Sequence, residues 1–405
     1  MPTNTATDRA LFAGHLRFAG AAFAAALFAA TALPVRAADA VPYEINVVIS
    51  TTGGNAFLGK EELQVFSAVE TLTNRNGGIA GQPIKFAVLD DATNPQTTVQ
   101  LVNGLIAKRV PIILGPGISA TCKATMPLLP SGPVSYCYSP AVHPPAGSYM
   151  FSSTVSTNEL TAALIRYCRG RGWTKLALIA SNDATGQDVS QTIDATVALP
   201  ENKGLQVVIR EQFNPSDIGV DAQMAQIKAS GAEVLLTSAT GTPFGTLLHG
   251  MHDVGLNVPV FSNGGNMTYA QMSQYNGLLP RELFFSGIRG ITPEPHATAA
   301  VSAAQKAYFA TFAALGVRPD FGQALAWDAT LIAIEALKRS GPAATSAQLR
   351  DTIARLSGWT GICGPYDFIK YPQRGLGPDA AIIYRWDGTR NEFAVISKPA
   401  GEPLE

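Results

Sequence analysis

The sequence predicts an α/β protein of two lobes, each built on a doubly wound parallel sheet covered by helices. Short β-branched or apolar runs alternate with longer amphipathic stretches, which is the pattern of parallel strands joined by helical crossovers. A similar order of strands and helices occurs twice along the chain. The chain has 405 residues, and one hydrophobic core seldom serves more than roughly 250–300 residues. Length and pattern together therefore predict two lobes.

The first series of elements covers residues 45–138. Leu63, Phe66, Val69 and Leu72 recur at helical spacing, and the Gly77-Gly78 pair that follows is a typical helix stop. We expect strands at 45–50, 84–90, 112–114 and 134–138, and helices at 60–74, 97–108 and 120–129.

The second series begins near residue 157 and repeats this plan. It predicts helices at 158–169, 187–197, 220–229, 243–254 and 269–276, and strands at 175–180, 206–212, 234–238, 258–262 and 283–286. Two long helices at 297–315 and 322–339 are expected to follow.

The N-terminus is typical of a secretory signal peptide. Arg9 and Arg17 precede an apolar run over 18–33, which is followed by Pro34 and small residues. A retained membrane anchor is the alternative, but a span needs roughly 20 strongly apolar residues and this run is shorter and rich in Ala. We expect residues 1–38 to be removed, which predicts export. No cysteine precedes Cys122, so we expect no lipid anchor.

The charge balance argues against a nucleic-acid partner. The chain carries 29 basic and 30 acidic residues, a formal net charge of −1. Binding to phosphates requires several basic groups on one face, and no Lys/Arg cluster occurs. Hydrophobic residues make up 46% and charged residues 15%, which is the composition of a globular protein.

The four cysteines permit disulfides in an oxidising compartment. Cys122 falls at the start of a predicted helix and Cys137 at the end of the next predicted strand. In a parallel β-α-β unit those two ends lie on the same edge of the sheet, within reach of a disulfide. We therefore predict a Cys122–Cys137 bond and interpret Cys168 and Cys363 as free or buried thiols.

Motifs for catalysis are lacking in the sequence. We find no nucleophile elbow, Walker loop, zinc-protease motif or dinucleotide fingerprint. His249 and His252 share a face of a predicted helix, as metal ligands do, but the apolar stripe of that helix lies elsewhere and leaves them on the solvated side. We predict that the protein is not an enzyme and holds no metal or cofactor. A hydrolase whose residues come together only in the folded chain is the alternative.

Several segments together carry a family resemblance through their order and spacing. They are Ser50-Thr51-Thr52-Gly53-Gly54 leading to Gly59, the run from Asn74 to Ile84, Asp90-Asp91 before Asn94-Pro95, Ile113-Leu114-Gly115-Pro116 with Ser119, Ser139-Pro140-Ala141, and the run from Gly361 to Phe368. Nearly the whole chain after the signal peptide resembles the type I periplasmic binding proteins of the leucine/isoleucine/valine-binding class.

The resemblance implies two lobes joined by three hinge crossings, expected near Thr154, Ser286 and Ile382. Lobe one would then comprise 43–153 plus 287–381, and lobe two 154–286 plus 382–405. It also implies a periplasmic, monomeric substrate-binding component of an ABC-type importer, whose partners are a small ligand and a permease in the inner membrane. A ligand sensor for a signalling receptor is the alternative.

The resemblance places the ligand at the carboxyl ends of the strands, which agrees with the general rule for open α/β sheets. In the family a serine at the position of Ser119 holds a ligand carboxylate, and backbone groups at Ser139 and Ala141 serve the same end. Ser119 also falls at a helix start, where free N–H groups favour anions. Phe57, Leu58 and Tyr138 are expected to supply apolar surface.

The opposite lobe is expected to contribute three loops that follow strands. Their candidate ligand-binding residues are Asp183, Thr240, Thr242, Asn263 and Asn266. The amino-acid binders of the family place an acidic residue in the last loop to pair with the ligand's ammonium group, whereas this chain has Gly and Asn there. A buried ammonium without a counter-charge is costly. We therefore predict a small organic carboxylate, aromatic or branched-chain-like, with a branched-chain amino acid or an amide as alternatives.

Overall fold

The structure is a computed structural model that describes residues 41–295 and 297–404. The predicted signal peptide and its cleavage site lie outside the described residues. In those two ranges, no helix is both long enough and apolar enough to cross a membrane.

The first sheet has five parallel strands in the order β2-β1-β3-β4-β5. They are β1 (Tyr43–Ile49), β2 (Ile84–Asp90), β3 (Ile112–Leu114), β4 (Val134–Cys137) and β5 (Met150–Ser152). The strands β3, β4 and β5 are buried along their whole length, as apolar strands covered on both faces are. The sequence predicts four of the five, and β5 is too short for its pattern to stand out.

The second sheet has seven strands in the order β14-β13-β10-β9-β8-β6-β7. They are β6 (Lys175–Ser181), β7 (Gln206–Phe213), β8 (Val234–Ser238), β9 (Val260–Asn263), β10 (Leu283–Ile288), β13 (Ala381–Asp387) and β14 (Glu392–Val395). Strands β6 to β10 are parallel, whereas β13 pairs antiparallel with both β10 and β14. A two-stranded hairpin of β11 (Ser357–Gly361) and β12 (Gly364–Asp367) stands apart.

Helices cover both sheets. They are α1 (Ala56–Arg75), α2 (Pro95–Ala107), α3 (Ser119–Thr125), α4 (Thr157–Gly170), α5 (Ala184–Val197), α6 (Asp221–Ala229), α7 (Thr242–Asp253), α8 (Tyr269–Gln274), α9 (Ala299–Ala314), α10 (Phe321–Ser340) and α11 (Ser346–Ala354).

Helix α1 begins four residues before the predicted start at residue 60. It passes so close to the end of β1 that a Cβ on Gly59 would lie 1.9 Å from the Ser50 carbonyl oxygen, so only glycine fits there. The predicted stripe is confirmed at Phe66 and Val69, which are fully buried, but not at Leu63. Val65 is fully buried, whereas Leu63 is 42% exposed.

After β10 the chain returns to the first sheet before it enters β13. Helix α10 packs against α1, where the Gly322 amide donates to Glu61 and the Gln323 amide donates to Gln64. Each sheet with its helices is called a lobe below, the first carrying the five-stranded sheet and the second the seven-stranded one.

The three residues predicted as hinge crossings lie in different settings. Thr154 lies just after β5 and has a positive φ of 67°, a conformation that is uncommon for a β-branched residue. Ser286 lies inside β10 and Ile382 inside β13, where the two strands pair with each other. The division of the chain at these residues stays a prediction.

Candidate functional site

The main cavity lies where strands of both sheets end. Its volume is 460 Å³, and its walls come from segments that follow β1, β3 and β4 of the first lobe and β6, β8 and β9 of the second. Open parallel sheets bind ligands at this edge because loops and helix starts converge there. Of the predicted site residues, Ser119, Tyr138, Ser139, Ala141, Asp183, Thr240, Thr242 and Asn263 line this cavity.

Two serine hydroxyls form the polar wall of the first lobe. The Oγ atoms of Ser119 and Ser139 are 2.7 Å apart and share a hydrogen bond. Both side chains are almost completely buried yet line the cavity. Since each hydroxyl can donate and accept, the pair is able to redirect a proton toward a ligand oxygen.

A disulfide joins the two elements that carry these serines. Cys122 lies one turn after Ser119 on α3, Cys137 ends β4 two residues before Ser139, and their Cα atoms are 6.0 Å apart. Cys168 and Cys363 are free and buried.

The apolar part of the cavity comes from both predicted and unpredicted residues. Of the three residues predicted to supply it, Tyr138 and Leu58 line the cavity and Phe57 does not. Phe57 and Leu58 are consecutive residues of α1, so their side chains point in different directions around the helix. Phe321 and Leu325 of α10 also line the cavity and were missed. Their helix is distant in sequence, and only the packing of α10 on α1 brings them here.

Asp183 lines the cavity, but its carboxylate already serves the protein. Its Oδ1 accepts hydrogen bonds from the amides of Thr185 and Gly186 and from the Ser181 hydroxyl. The carboxylate thus caps the N-terminus of α5, the ordinary role of an Asp at this position. It is the only charged side chain among the described residues that line the cavity.

The asparagines of the last loop are engaged in holding that loop together. The Asn263 side chain accepts from the Gly265 amide and donates to the Ala239 carbonyl. Asn266 is fully buried and does not line the cavity in this structure, and its role as a ligand residue stays a prediction. Its amide is committed to Ala239 and Gly241.

Thr240 and Thr242 stand at the start of α7, on the side of the second lobe. The Thr240 hydroxyl donates to Asn263, and Thr242 is exposed. Helix α7 has no side-chain cap, but Pro243 has no N–H and the Phe244 amide donates to the Gly241 carbonyl, so its first turn leaves few donors for an acceptor at this edge.

The structure offers little for metal chemistry. Over residues 41–295 and 297–404, no group of three His, Cys, Asp or Glu side chains comes close enough to hold a metal ion. His249 and His252 are both exposed on α7, as the apolar stripe predicts, and His252 contacts its neighbour Asp253.

Comparisons with solved structures show the same fold. A periplasmic binding protein type 1 from Bordetella pertussis superposes with a TM-score of 0.76 at 20% identity, covering 90% of this chain and 100% of that one. A fatty acid ABC transporter substrate-binding protein from Thermomonospora curvata gives 0.76 at 17% identity, covering 88% and 92%. The LivJ protein of Streptococcus pneumoniae in complex with isoleucine gives 0.72 at 17% identity, covering 89% and 100%.

Two curated proteins match the sequence at low identity. An amino acid binding protein of Pseudomonas aeruginosa is 26% identical over 233 residues, which span 55% of this chain and 61% of that protein. A Leu/Ile/Val-binding protein homolog of Brucella melitensis is 23% identical over 279 residues, 64% of this chain and 71% of that one. The family model described as periplasmic binding protein matches residues 42–391. The chain therefore belongs to the periplasmic binding protein family.

Proposed function

We propose that the protein is the extracytoplasmic substrate-binding component of an ABC-type importer, and that it binds a small organic carboxylate, aromatic or branched-chain-like, in the cavity between its lobes. The observation that carries this proposal is the buried Ser119–Ser139 hydroxyl pair on a cavity whose other walls are largely apolar. A ligand with one oxygen-rich end and an apolar body is complementary to such a surface.

Transport follows from closure of the two lobes on the ligand. Contacts from both lobes stabilise the closed form, and that form docks on the permease in the inner membrane. ATP is consumed by the transporter and not by this chain. The protein would act as a periplasmic monomer after removal of its signal peptide.

The second lobe offers one acidic side chain to an ammonium ligand, and that side chain already has a role in the fold. Oδ1 of Asp183 caps α5, and the last loop carries Asn263 with its amide engaged. An ammonium group would share the Asp183 carboxylate with the helix N-terminus and would find no further acidic side chain among the described residues that line the cavity. This favours a carboxylate without an α-amino group.

An α-amino acid is the second candidate ligand. It is supported by the names of the sequence relatives, one an amino acid binding protein and one a Leu/Ile/Val-binding protein homolog. Such a ligand would present its carboxylate to the same serines and place its ammonium group elsewhere in the cavity.

A thermal-shift screen tests the proposal, because a ligand that binds only the folded state raises the unfolding temperature. The panel comprises benzoate-like acids, branched aliphatic acids, the matching amides and leucine. We expect shifts with the acids, confirmed by calorimetric titration. If leucine binds far more tightly than every acid without an amino group, the carboxylate proposal is wrong and the amino-acid candidate replaces it.

A further inference from the structure

A second carboxyl group lies directly behind the serine wall. Glu62 of α1 is fully buried, and neither of its carboxyl oxygens has a hydrogen-bond partner among the described residues. Its Oε2 and Oε1 lie 3.4 and 3.6 Å from the point where a Cβ on Gly117 would stand. Gly117 lines the cavity two residues before Ser119. This carboxyl group therefore packs against Gly117, a residue that lines the cavity.

Asn55 shares this position. Its Nδ2 lies 3.9 Å from the same point beside Gly117, and this buried nitrogen also has no hydrogen-bond partner in the described chain. Unlike Glu62, Asn55 itself lines the cavity. Buried polar groups without partners are rare in folded proteins because each one costs free energy. Two of them on one side of a binding cavity point to a group that arrives from outside the chain.

The surroundings of Glu62 favour its uncharged form. Burial is the main reason that its pKa rises to about 8, and the negative charge of Asp91 at the end of β2 adds to the effect. Tyr138 faces it from the end of β4, and Glu61 is its neighbour on α1. Asp320 at the start of α10 acts on Glu61. These groups are acidic or neutral, and an uncharged carboxyl group has one O–H to donate.

We propose that Glu62 is a positioning residue of the cavity, through which binding of an anionic ligand is coupled to the protonation of one buried carboxyl group. This rests on the proposed function. With Asn55 the protonated Glu62 presents N–H and O–H donors behind the wall that holds the ligand's carboxylate. An ionised Glu62 would repel the ligand's carboxylate, and this repulsion is strong in the interior of a protein, where the dielectric constant is low.

Binding of a carboxylate and protonation of Glu62 favour each other. A bound carboxylate raises the pKa of Glu62 further, so the complex holds the proton over a range of pH in which the free protein loses it. Binding then takes up a proton near pH 8 and weakens as the pH rises. Linkage predicts about tenfold weaker binding at pH 9 than at pH 7 if the complex stays protonated. An ammonium ligand would do the opposite, because it stabilises the ionised form of Glu62 and releases a proton.

The test is calorimetric titration of the protein with a benzoate-like acid from pH 6 to pH 9, in two buffers that differ in ionisation enthalpy. We expect proton uptake and the tenfold loss of affinity in the unaltered chain. In Glu62→Gln, which keeps the size and stays uncharged, the affinity should not depend on pH over this range. Glu44→Gln, which removes an exposed carboxylate on β1, should behave like the unaltered chain.

The outcomes separate the inference from the proposed function. A carboxylate that binds equally well at pH 7 and pH 9, without proton uptake, overturns the role of Glu62 and leaves the proposed function standing. Proton release on binding of the benzoate-like acid overturns it as well, because the ligand would then favour the ionised form of Glu62, and it too leaves the proposed function standing. If no carboxylate binds either protein at any pH, the proposed function fails and the inference fails with it. Should Glu62→Gln not fold, the titrations of the unaltered chain decide the question alone.

Discussion

The hydroxyl of Ser119 is the single side-chain group on which the proposed carboxylate site depends most. It is buried, lines the cavity and already shares a hydrogen bond with Ser139. In Ser119→Ala the ligand would lose a donor while Ser139 loses its partner. We expect affinity for the carboxylate to fall by about 1–3 kcal/mol, since hydrogen bonds to charged groups contribute in this range. Calorimetric titration measures the loss.

Ser302 provides the control for this substitution. It is exposed on α9, does not line the cavity, and Ser302→Ala should bind as the unaltered chain does. Equal affinity of the Ser119→Ala variant and the control would remove Ser119 from the site.

Glu62 also makes stability depend on pH. Its pKa rises from an ordinary value of 4.5 to about 8 in the folded chain, so the folded state favours the protonated form. The corresponding stabilisation is fully present below pH 4.5 and is lost as the pH rises through about 8. Glu62→Gln stays uncharged, and its free energy of unfolding should therefore exceed that of the unaltered chain increasingly as the pH rises.

Urea unfolding of both proteins at pH 5 and pH 9 measures this difference. We expect the gap between them to widen by a few kcal/mol between the two pH values. Buried acids that do not interact with Glu62 titrate alike in both proteins and cancel in the comparison, whereas the pKa of Glu61, which the charge of Glu62 helps to raise, falls in Glu62→Gln and widens the gap in the same direction. A gap that stays constant would mean that Glu62 is ionised in the folded chain.

Predictions about single residues depend most on contacts made outside their own segment. Asp183 lines the cavity and also caps α5, so its role as a ligand residue stays a prediction. The orientation of Asn266 could not be predicted from its own loop, because its side chain donates to the carbonyl of Ala239, which comes from another strand end. Asn55 and Glu62 carry no motif, and only the folded chain brings them to Gly117.

At the scale of secondary structure, the Cys122–Cys137 disulfide joins α3 to β4 and so fixes the elements that carry Ser119 and Ser139. Closing a loop of about 15 residues stabilises a fold by about 3 kcal/mol in the chain-entropy model. The double variant Cys122→Ala/Cys137→Ala should lose stability of this order. Its ligand affinity should also fall, because the two hydroxyls are no longer held together.

Chemical unfolding and calorimetric titration of this double variant separate the two effects. Each single variant leaves one free thiol and should match the double variant in stability, because either change removes the cross-link. Lower stability with unchanged affinity would mean that packing alone holds the serine pair in place.

The elements that the sequence predicts best are those with a strong periodic pattern. Strands β1, β2, β6 and β8 and the long helix α10 fall close to their expected positions. Strands β13 and β14 and the β11–β12 hairpin were missed. These strands pair with partners that are distant in sequence or antiparallel, as β13 does with β10. The strand–helix alternation that predicts parallel strands therefore does not predict them.

At the scale of the whole molecule, the two lobes touch at the mouth of the cavity. The Lys123 ammonium group donates to the Ala184 carbonyl, and Nε2 of His143 lies 2.9 Å from Oδ1 of Asp188. A Cβ on Gly241 of the second lobe would lie 2.3 Å from the Gly54 carbonyl oxygen of the first. These contacts belong to the arrangement with the lobes together, and they bias the equilibrium that the ligand shifts.

The His143–Asp188 contact allows this coupling to be tested away from the ligand. Asp188 is largely buried on α5, and its second oxygen has no partner in the part of the chain that the structure describes. The His143 side chain is 41% exposed, so water takes its place at Asp188 in His143→Ala, and we expect the closed form to lose up to about 1 kcal/mol. Because affinity scales with the closed fraction, the carboxylate should bind up to about fivefold more weakly.

The matched control is His252→Ala. His252 contacts Asp253 within α7, so its loss removes a similar pair without touching the space between the lobes. Small-angle scattering of the ligand-free proteins should show a larger mean radius for His143→Ala and an unchanged one for the control. Equal affinities and radii for the two variants would mean that the contact between lobes contributes nothing to closure. The ligand would then have to close the lobes through its own contacts alone.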